Sequence, residues 1–248
     1  MPELVKYVAV AAGIFLGGYL AYKTLQLRRA YREQAASGLD VYAGLRESAQ
    51  SVLGLVAGSL LGYEMTVFHY LIFGWRRAPR DQPRSFSYHR KNAYIVIVAA
   101  VMLVVFAELF GMHLLISLWS TVVAWIVTGV SIYAVLWLVG DAHAIRLRPI
   151  ELTETMLLLR VGLRSTIDVP LESIDRFGAV TGGALPRRTP GYLKAVLLGG
   201  PNFRVELNTP VDALGPYGLT MQAKTIDVQV DEPQRLEAAL RKSIAPRH

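Results

Sequence analysis

Two glutamate–histidine pairs stand where ionisable groups are costly: Glu64 with His69 and Glu108 with His113, each inside a long apolar run. A charged side chain near mid-bilayer costs about 2.5 to 3.5 kcal/mol or more, so each pair is a candidate functional site by default. A carboxylate near an imidazole suits proton carriage or, with further ligands, a metal ion. The five-residue gap sets the paired side chains about 140° apart on a helix, unlike the i, i+3 or i, i+4 spacing of helical metal sites. Three readings of Glu108 stay open. It is structural glue, protonated and hydrogen-bonded across helices to Ser120, Thr121 or Thr128; it joins the other three residues in a proton or ion site; or it ligates metal.

The second cluster is basic: Arg76, Arg77, Arg80, Arg84, Arg90 and Lys91, with Asp81 alone opposing them. Its place between two apolar segments makes it a topology determinant under the positive-inside rule, with attraction of anionic lipid as an addition of about 1 kcal/mol per residue. No motif calls for a cofactor. Gly178 to Gly183 lacks the lysine and the following helix of a phosphate loop, and no nucleotide fingerprint, serine-nucleophile or H-E-x-x-H motif occurs. The absence of cysteine removes disulfides, thiolate metal sites and a cysteine nucleophile. The net charge of +7 is accounted for by the membrane flanks, and no nucleic-acid motif accompanies it.

These residues are positioned by a chain of two characters. Of 248 residues 53% are hydrophobic and only 18% charged, below the roughly 25% usual for soluble domains. Residues 93–142 contain no Lys or Arg and only Glu108 and Asp141, whereas 1–92 and 143–248 hold 12 and 14 basic residues. Four hydrophobic helices are predicted, near 4–22, 52–75, 93–112 and 119–138. As one helix, residues 93–140 would run to roughly 70 Å against a hydrocarbon core of about 30 Å, so they must fold back, with a turn around His113 to Leu118. Trp75, Tyr94, Trp119 and Trp137 fall near the segment ends, as in aromatic belts. The 52–75 segment either spans or lies at the interface with Glu64 and His69 toward water. Gly54, Gly58 and Gly62 share one helix face, as do Gly13 and Gly17; such faces permit packing on each other or between subunits.

After about residue 140 the period changes to two. Ile145 and Leu147, then Leu163, Ile167 and Val169, then Phe203, Val205 and Leu207, then Ile226, Val228 and Val230 alternate with polar residues, as antiparallel strands with one buried face do. Asp231 as N-cap and Pro233 in the first turn open a last helix with Leu236 and Leu240 on one face.

Residues 150–162, closing on Leu159-Arg160-Val161-Gly162, and the following Val169-Pro170-Leu171-Glu172-Ser173-Ile174 resemble the opening of bacterial pleckstrin-homology-like (PH-like) domains that follow a transmembrane hairpin. Val228 to Pro233 before an amphipathic helix is similar as well. The resemblance implies a PH-like β-sandwich or barrel over residues 141–248, capped by one helix, behind an α-helical membrane region over 1–140. It also implies a binding or self-assembly role. The turn after the first long strand offers only Arg160 and Arg164, which argues against specific inositol-phosphate binding.

The expected function is a non-enzymatic, multi-pass protein of the bacterial inner membrane whose cytoplasmic PH-like domain meets a protein, a second copy or the membrane surface. Its expected partners are the lipid bilayer and either itself or another membrane-associated protein, without nucleic acid. The alternative is a membrane-embedded transporter or enzyme using Glu64, His69, Glu108 and His113.

Overall fold

The computed structural model describes residues 19, 21–33, 40–77, 83–90, 93–180, 183–186 and 188–244. Most of the first hydrophobic segment, with Gly13 and Gly17, lies outside the described residues, as do Arg80 and Lys91. The chain divides into two compact units, Met1–Thr66 and Val67–His248.

In the first unit, glycine decides the packing. Residues 21–33 are helical (α1), and α2 (Val41–Leu53) ends at Gly54, whose φ of +82° is a left-handed conformation that a side chain disfavours. The chain turns there into α3 (Leu55–Phe73), which doubles back along α2. A Cβ on Gly58 would lie 2.4 Å from Gln50 Cα, and one on Gly62 would lie 2.6 Å from Arg46 Cα. The four-residue glycine spacing therefore serves close approach of two helix backbones within one chain. Tyr42 and Tyr63 meet edge to face at 6.1 Å, and Gln50 donates to Ser59 Oγ at 2.7 Å. The segment expected at 52–75 begins at Leu55, and the connector ahead of it is itself a helix.

The second unit starts on the last turns of α3. Glycine again permits contact: a Cβ on Gly140 would sit 2.7 Å from the Val67 carbonyl oxygen, and one on Gly74 would sit 2.6 Å from His143 Cβ. Two long helices follow, α4 (Tyr94–Ser117) and α5 (Thr121–Leu147), of 24 and 27 residues or about 36 and 40 Å. Among the described residues, three helical stretches are long and apolar enough to cross a membrane: Leu55–Arg76, Tyr94–Ser117 and Thr121–Leu147. The chain is a membrane-embedded protein.

Two boundaries differ from the sequence reading. The hairpin turn is Leu118 to Ser120, later than expected, because α4 keeps its hydrogen bonds through Ser117 and Ser120 caps α5, accepting from Val123 N at 3.4 Å. At the other end α5 runs past the hydrophobic stretch to Leu147. Ile145 to Arg148, read as an alternating strand, is the last helical turn and the residue that ends it. Four residues are too few to separate the two periods, and the helix wins by burying Asp141, Ala144, Ile145 and Arg148 along one face.

Eight strands then form a mixed sheet that does not close: β1 (Ser85–Phe86), β2 (Ile150–Leu152), β3 (Met156–Val161), β4 (Ser165–Pro170), β5 (Ile174–Ala179), β6 (Tyr192–Ala195), β7 (Phe203–Leu214) and β8 (Thr220–Val228). The order is β1-β2-β3-β4-β7-β8-β6, with β5 also paired to β7. One long strand serves two sides: β7 is irregular between Glu206 and Val211, a stretch that includes Pro210, and its first half pairs with β5 and its second with β4. The expected alternation holds in three of its four runs: Leu163, Ile167, Val169, Phe203, Val205, Leu207, Ile226, Val228 and Val230 are all buried. The antiparallel expectation fails at β6, which runs parallel to β8 with Tyr192 opposite Thr225.

The final helix, α6 (Pro233–Ile244), drives Leu236 and Leu240 into the sheet core. That core does not stop at the sheet. Phe86 and Tyr88 from upstream of the hairpin, Tyr94 and Val98 from the first turns of α4, and Ile145 from the end of α5 belong to the same cluster.

Candidate functional site

The apolar face of α4 is interrupted by Glu108, one turn and a half before His113, and the turn of the hairpin brings α5 alongside. Glu108 and His113 line one groove with Val105, Leu109 and Met112 of α4 and Val127, Thr128 and Ser131 of α5. The 140° separation on α4 does not keep the two side chains from both lining the groove against α5. His113 Nδ1 and Thr128 Oγ1 share a hydrogen bond of 2.8 Å, and Trp125 stacks edge-on to the imidazole at 4.9 Å. Thr128, one of three partners expected for Glu108, is thus taken by His113, and Ser120 is the helix cap. Glu108 is exposed on the helix surface and makes no hydrogen bond among the described residues. The groove is walled by α4 and α5, and neither Glu64 nor His69 lines it. His69 packs on Tyr70 and Phe73 at 5.6 and 5.1 Å, and Glu64 is half-buried on α3. Among the described residues no group of three or more His, Asp or Glu is placed to hold a metal ion.

A second polar cluster lies where helices meet sheet. Asp141, fully buried on α5, accepts from Tyr94 Oη of α4 at 2.7 Å and from Arg164 Nη2 of the β3–β4 turn at 3.1 Å. Arg164 also donates to Tyr94 Oη, and its guanidinium lies 4.8 Å from the Tyr94 ring centre. Gly162 fits the turn beneath: its φ is +53°, and a Cβ there would meet Ile145 Cγ1 at 2.8 Å and Asp141 Oδ1 at 3.1 Å. Its amide donates to Tyr88 Oη at 2.8 Å, and its carbonyl accepts from the buried Arg148, which also donates to Thr166 Oγ1 at 2.9 Å. Burial above all raises the Tyr88 phenol well above its ordinary value, so the hydroxyl stays neutral. Tyr94, expected in an aromatic belt, is instead a buried member of this cluster.

A third cluster lies inside the sheet. Arg204 grips Asp227 through Nε at 2.6 Å and Nη2 at 2.8 Å, and Tyr192 Oη donates to the same carboxylate at 2.8 Å. Burial and then the Asp227 hydrogen bond raise the Tyr192 phenol, and the Asp227 hydrogen bonds raise Arg204. Arg204 and Glu206 also line a shallow groove with Arg176 to Ala179 of β5 and with Val180.

The basic run divides between solvent and sheet. Arg76, Arg77, Arg84 and Arg90 are exposed, while the backbone among them is strapped to the sheet domain. Ser85 and Phe86 pair with Glu151 and Ile150; the Arg84 carbonyl accepts from Leu152 N at 2.9 Å, and Arg90 N donates to Asp231 Oδ2 at 3.0 Å. Asp231, read as a helix cap, therefore ties the strap down. Sequence reasoning missed the Asp141, Arg164, Tyr94 and Arg148 cluster. The available signal was Asp141, one of only two acidic residues in a 50-residue block that holds no Lys or Arg. No family model, curated protein or solved structure matches the chain.

Proposed function

We propose that this chain is a non-enzymatic protein of the bacterial inner membrane that presents a cytoplasmic PH-like domain to a protein partner, with the membrane hairpin fixing how the domain is held. The observation that carries this reading is the continuous core. Tyr94, Val98 and Ile145 of the hairpin are packed with the strands, and Asp141 is bonded across the same junction, so the sheet is held firmly on the helix ends. Such a joint suits a domain that must be presented in one orientation. The PH-like reading is supported by the succession of strands ending in one helix whose Leu236 and Leu240 fill the core. The partner surface we favour is the groove of Arg176 to Val180 with Arg204 and Glu206, which combines charge of both signs with the backbone of β5.

A photo-crosslinking residue at Arg176 tests this in native membranes. A discrete protein adduct is expected, absent when the same residue stands at Leu115 and lost when Glu206→Arg is added. Adducts that ignore Glu206→Arg, or none, overturn it.

One observation favours a second reading, proton or ion carriage through the membrane region: Glu108 and His113 do share a groove. Glu108→Gln separates the two. Lost function with normal expression and assembly favours carriage, whereas retained partner capture and function favours presentation.

A further inference from the structure

The β3–β4 and β7–β8 turns lie at the same end of the sheet, because β4 and β7 pair antiparallel with Thr166 opposite Leu214. The β3–β4 turn is the one docked on the hairpin: Arg164 reaches Tyr94, the first residue of α4, and Asp141 of α5. The β7–β8 turn therefore stands beside the point where the membrane helices enter the sheet domain. A Cβ on Gly215 would come within 3.9 Å of the Arg164 carbonyl oxygen, and Arg164 and Ser165 share a cavity with Leu214, Pro216, Leu219 and Met221.

This second turn has the wrong chemistry for water. Leu219 is 71% exposed, and Tyr217 and Met221 are 42% and 43% exposed, on a tip that carries no charge from Ala213 to Gln222. The tip is nevertheless built. Gly215 N donates to Leu219 O at 2.7 Å, Leu219 N donates to Pro216 O at 3.1 Å, and Tyr217 adopts φ +54°, uncommon for a bulky side chain. A hydrogen-bonded turn that displays a tyrosine and two aliphatic side chains at the foot of a membrane hairpin fits the lipid interface, where amphipathic aromatic and apolar groups are favoured.

We infer that the β7–β8 tip, Gly215 to Met221, enters the surface of the same leaflet from which α4 and α5 emerge, so that phospholipid covers Tyr217, Leu219 and Met221. The hairpin and the tip then hold the sheet at two points, which fixes its tilt as well as its height. The inference needs only that α4 and α5 span; it is independent of the partner proposed above and of which side of the membrane the sheet occupies.

The chain has no cysteine, so single cysteines report cleanly. Leu219→Cys, Tyr217→Cys and, as a control on exposed β5, Asp175→Cys are each labelled with an environment-sensitive fluorophore and reconstituted as the full chain in phospholipid nanodiscs. At positions 219 and 217, quenching by lipids brominated on their acyl chains and protection from aqueous iodide are expected; at 175 the reverse is expected. Iodide quenching at 217 and 219 equal to that at 175 overturns the inference, because the tip is then in water. Protection from iodide without quenching by brominated lipid overturns it too, because protein then covers the tip. Two tip positions keep the test decisive if one labelled chain fails to assemble.

Discussion

Two buried aspartates in this molecule are held by the same trio of chemistries, a carboxylate with one arginine and one tyrosine, yet they do different work. Asp227 sits on β8 with Arg204 directly opposite it on β7 and with Tyr192 on β6, so sheet register alone brings the three together. Both carboxylate oxygens are used, and the Arg204 side chain is 18% exposed. Asp141 gathers its partners from a helix and a turn, uses Oδ2 for both, and leaves Oδ1 against Gly162 without a hydrogen bond among the described residues. Its arginine is 34% exposed. The first cluster locks one element type to itself; the second joins the membrane hairpin to the sheet. The strands of the first cluster are already aligned by their ladder, whereas the second must be met by two helices and a turn that no common register aligns, and one carboxylate oxygen stays unpaired.

Asp227→Ala carries the largest expected effect. It leaves a mostly buried guanidinium and a buried phenol without their acceptor, and removing one partner of a buried pair costs about 3 to 5 kcal/mol. Chemical unfolding of the full chain in mild detergent should show it, with sheet signal lost first. A loss below about 1 kcal/mol would mean that water replaces the carboxylate, and that the two clusters are alike in their access to solvent.

Asp141→Ala should cost less, about 1 to 3 kcal/mol, because Arg164 can turn toward water while only Tyr94 loses a buried acceptor. Its distinguishing sign is local. Amide exchange should rise at Gly162 to Arg164 and along the first turn of α4, with the Phe203 to Leu207 ladder unchanged. Equal exchange throughout the sheet would show that the joint and the sheet open as one unit, which removes the distinction between the clusters.

How much of this was legible in the sequence follows the range over which each feature is decided. The α4–α5 hairpin was plain, since 48 residues without Lys or Arg cannot cross a bilayer once and stop. The strands around Ile167, Val205 and Ile226 were plain from alternation. Gly58 and Gly62 announced a close helix contact but not its partner, because any helix offers a backbone, and α2 lies almost wholly outside the four predicted hydrophobic helices. The parallel β6 and the two-residue β1 carry too few residues for a period to show. Asp141 meets Tyr94 across 47 residues and Arg164 across 23, a convergence set by where α5 ends and how tightly Gly162 turns. Among the candidate residues, the Glu108 and His113 groove depended on the second helix, which spacing along one helix cannot describe. Hydropathy also placed a boundary near residue 140 that the core crosses, because Tyr94, Val98 and Ile145 are apolar enough to serve either lipid or sheet.

Tyr88 offers the smallest and most specific test of the joint. It belongs to the strap upstream of the hairpin, yet its Oη accepts the Gly162 amide directly beneath Asp141. Tyr88→Phe should cost about 0.5 to 1.5 kcal/mol at neutral pH, the net value of one hydrogen bond, and should raise exchange at Gly162 alone. A pH dependence then identifies the buried phenol itself. Burial raises its pKa in the folded chain above the ordinary value near 10, so the unfolded chain releases this proton first as pH rises. The unfolded state then binds fewer protons than the folded one, and stability present below about pH 10 declines above it. Tyr192 is raised as well and remains in the variant, so the informative quantity is the difference between the two chains. Wild type should lose stability above pH 10 more steeply than Tyr88→Phe, and the gap between their unfolding midpoints should narrow as pH rises. Parallel curves would mean that Tyr88 ionises as freely in the folded chain as in the unfolded one, and that the strap, unlike Asp141 and Arg164, is not sealed into the joint.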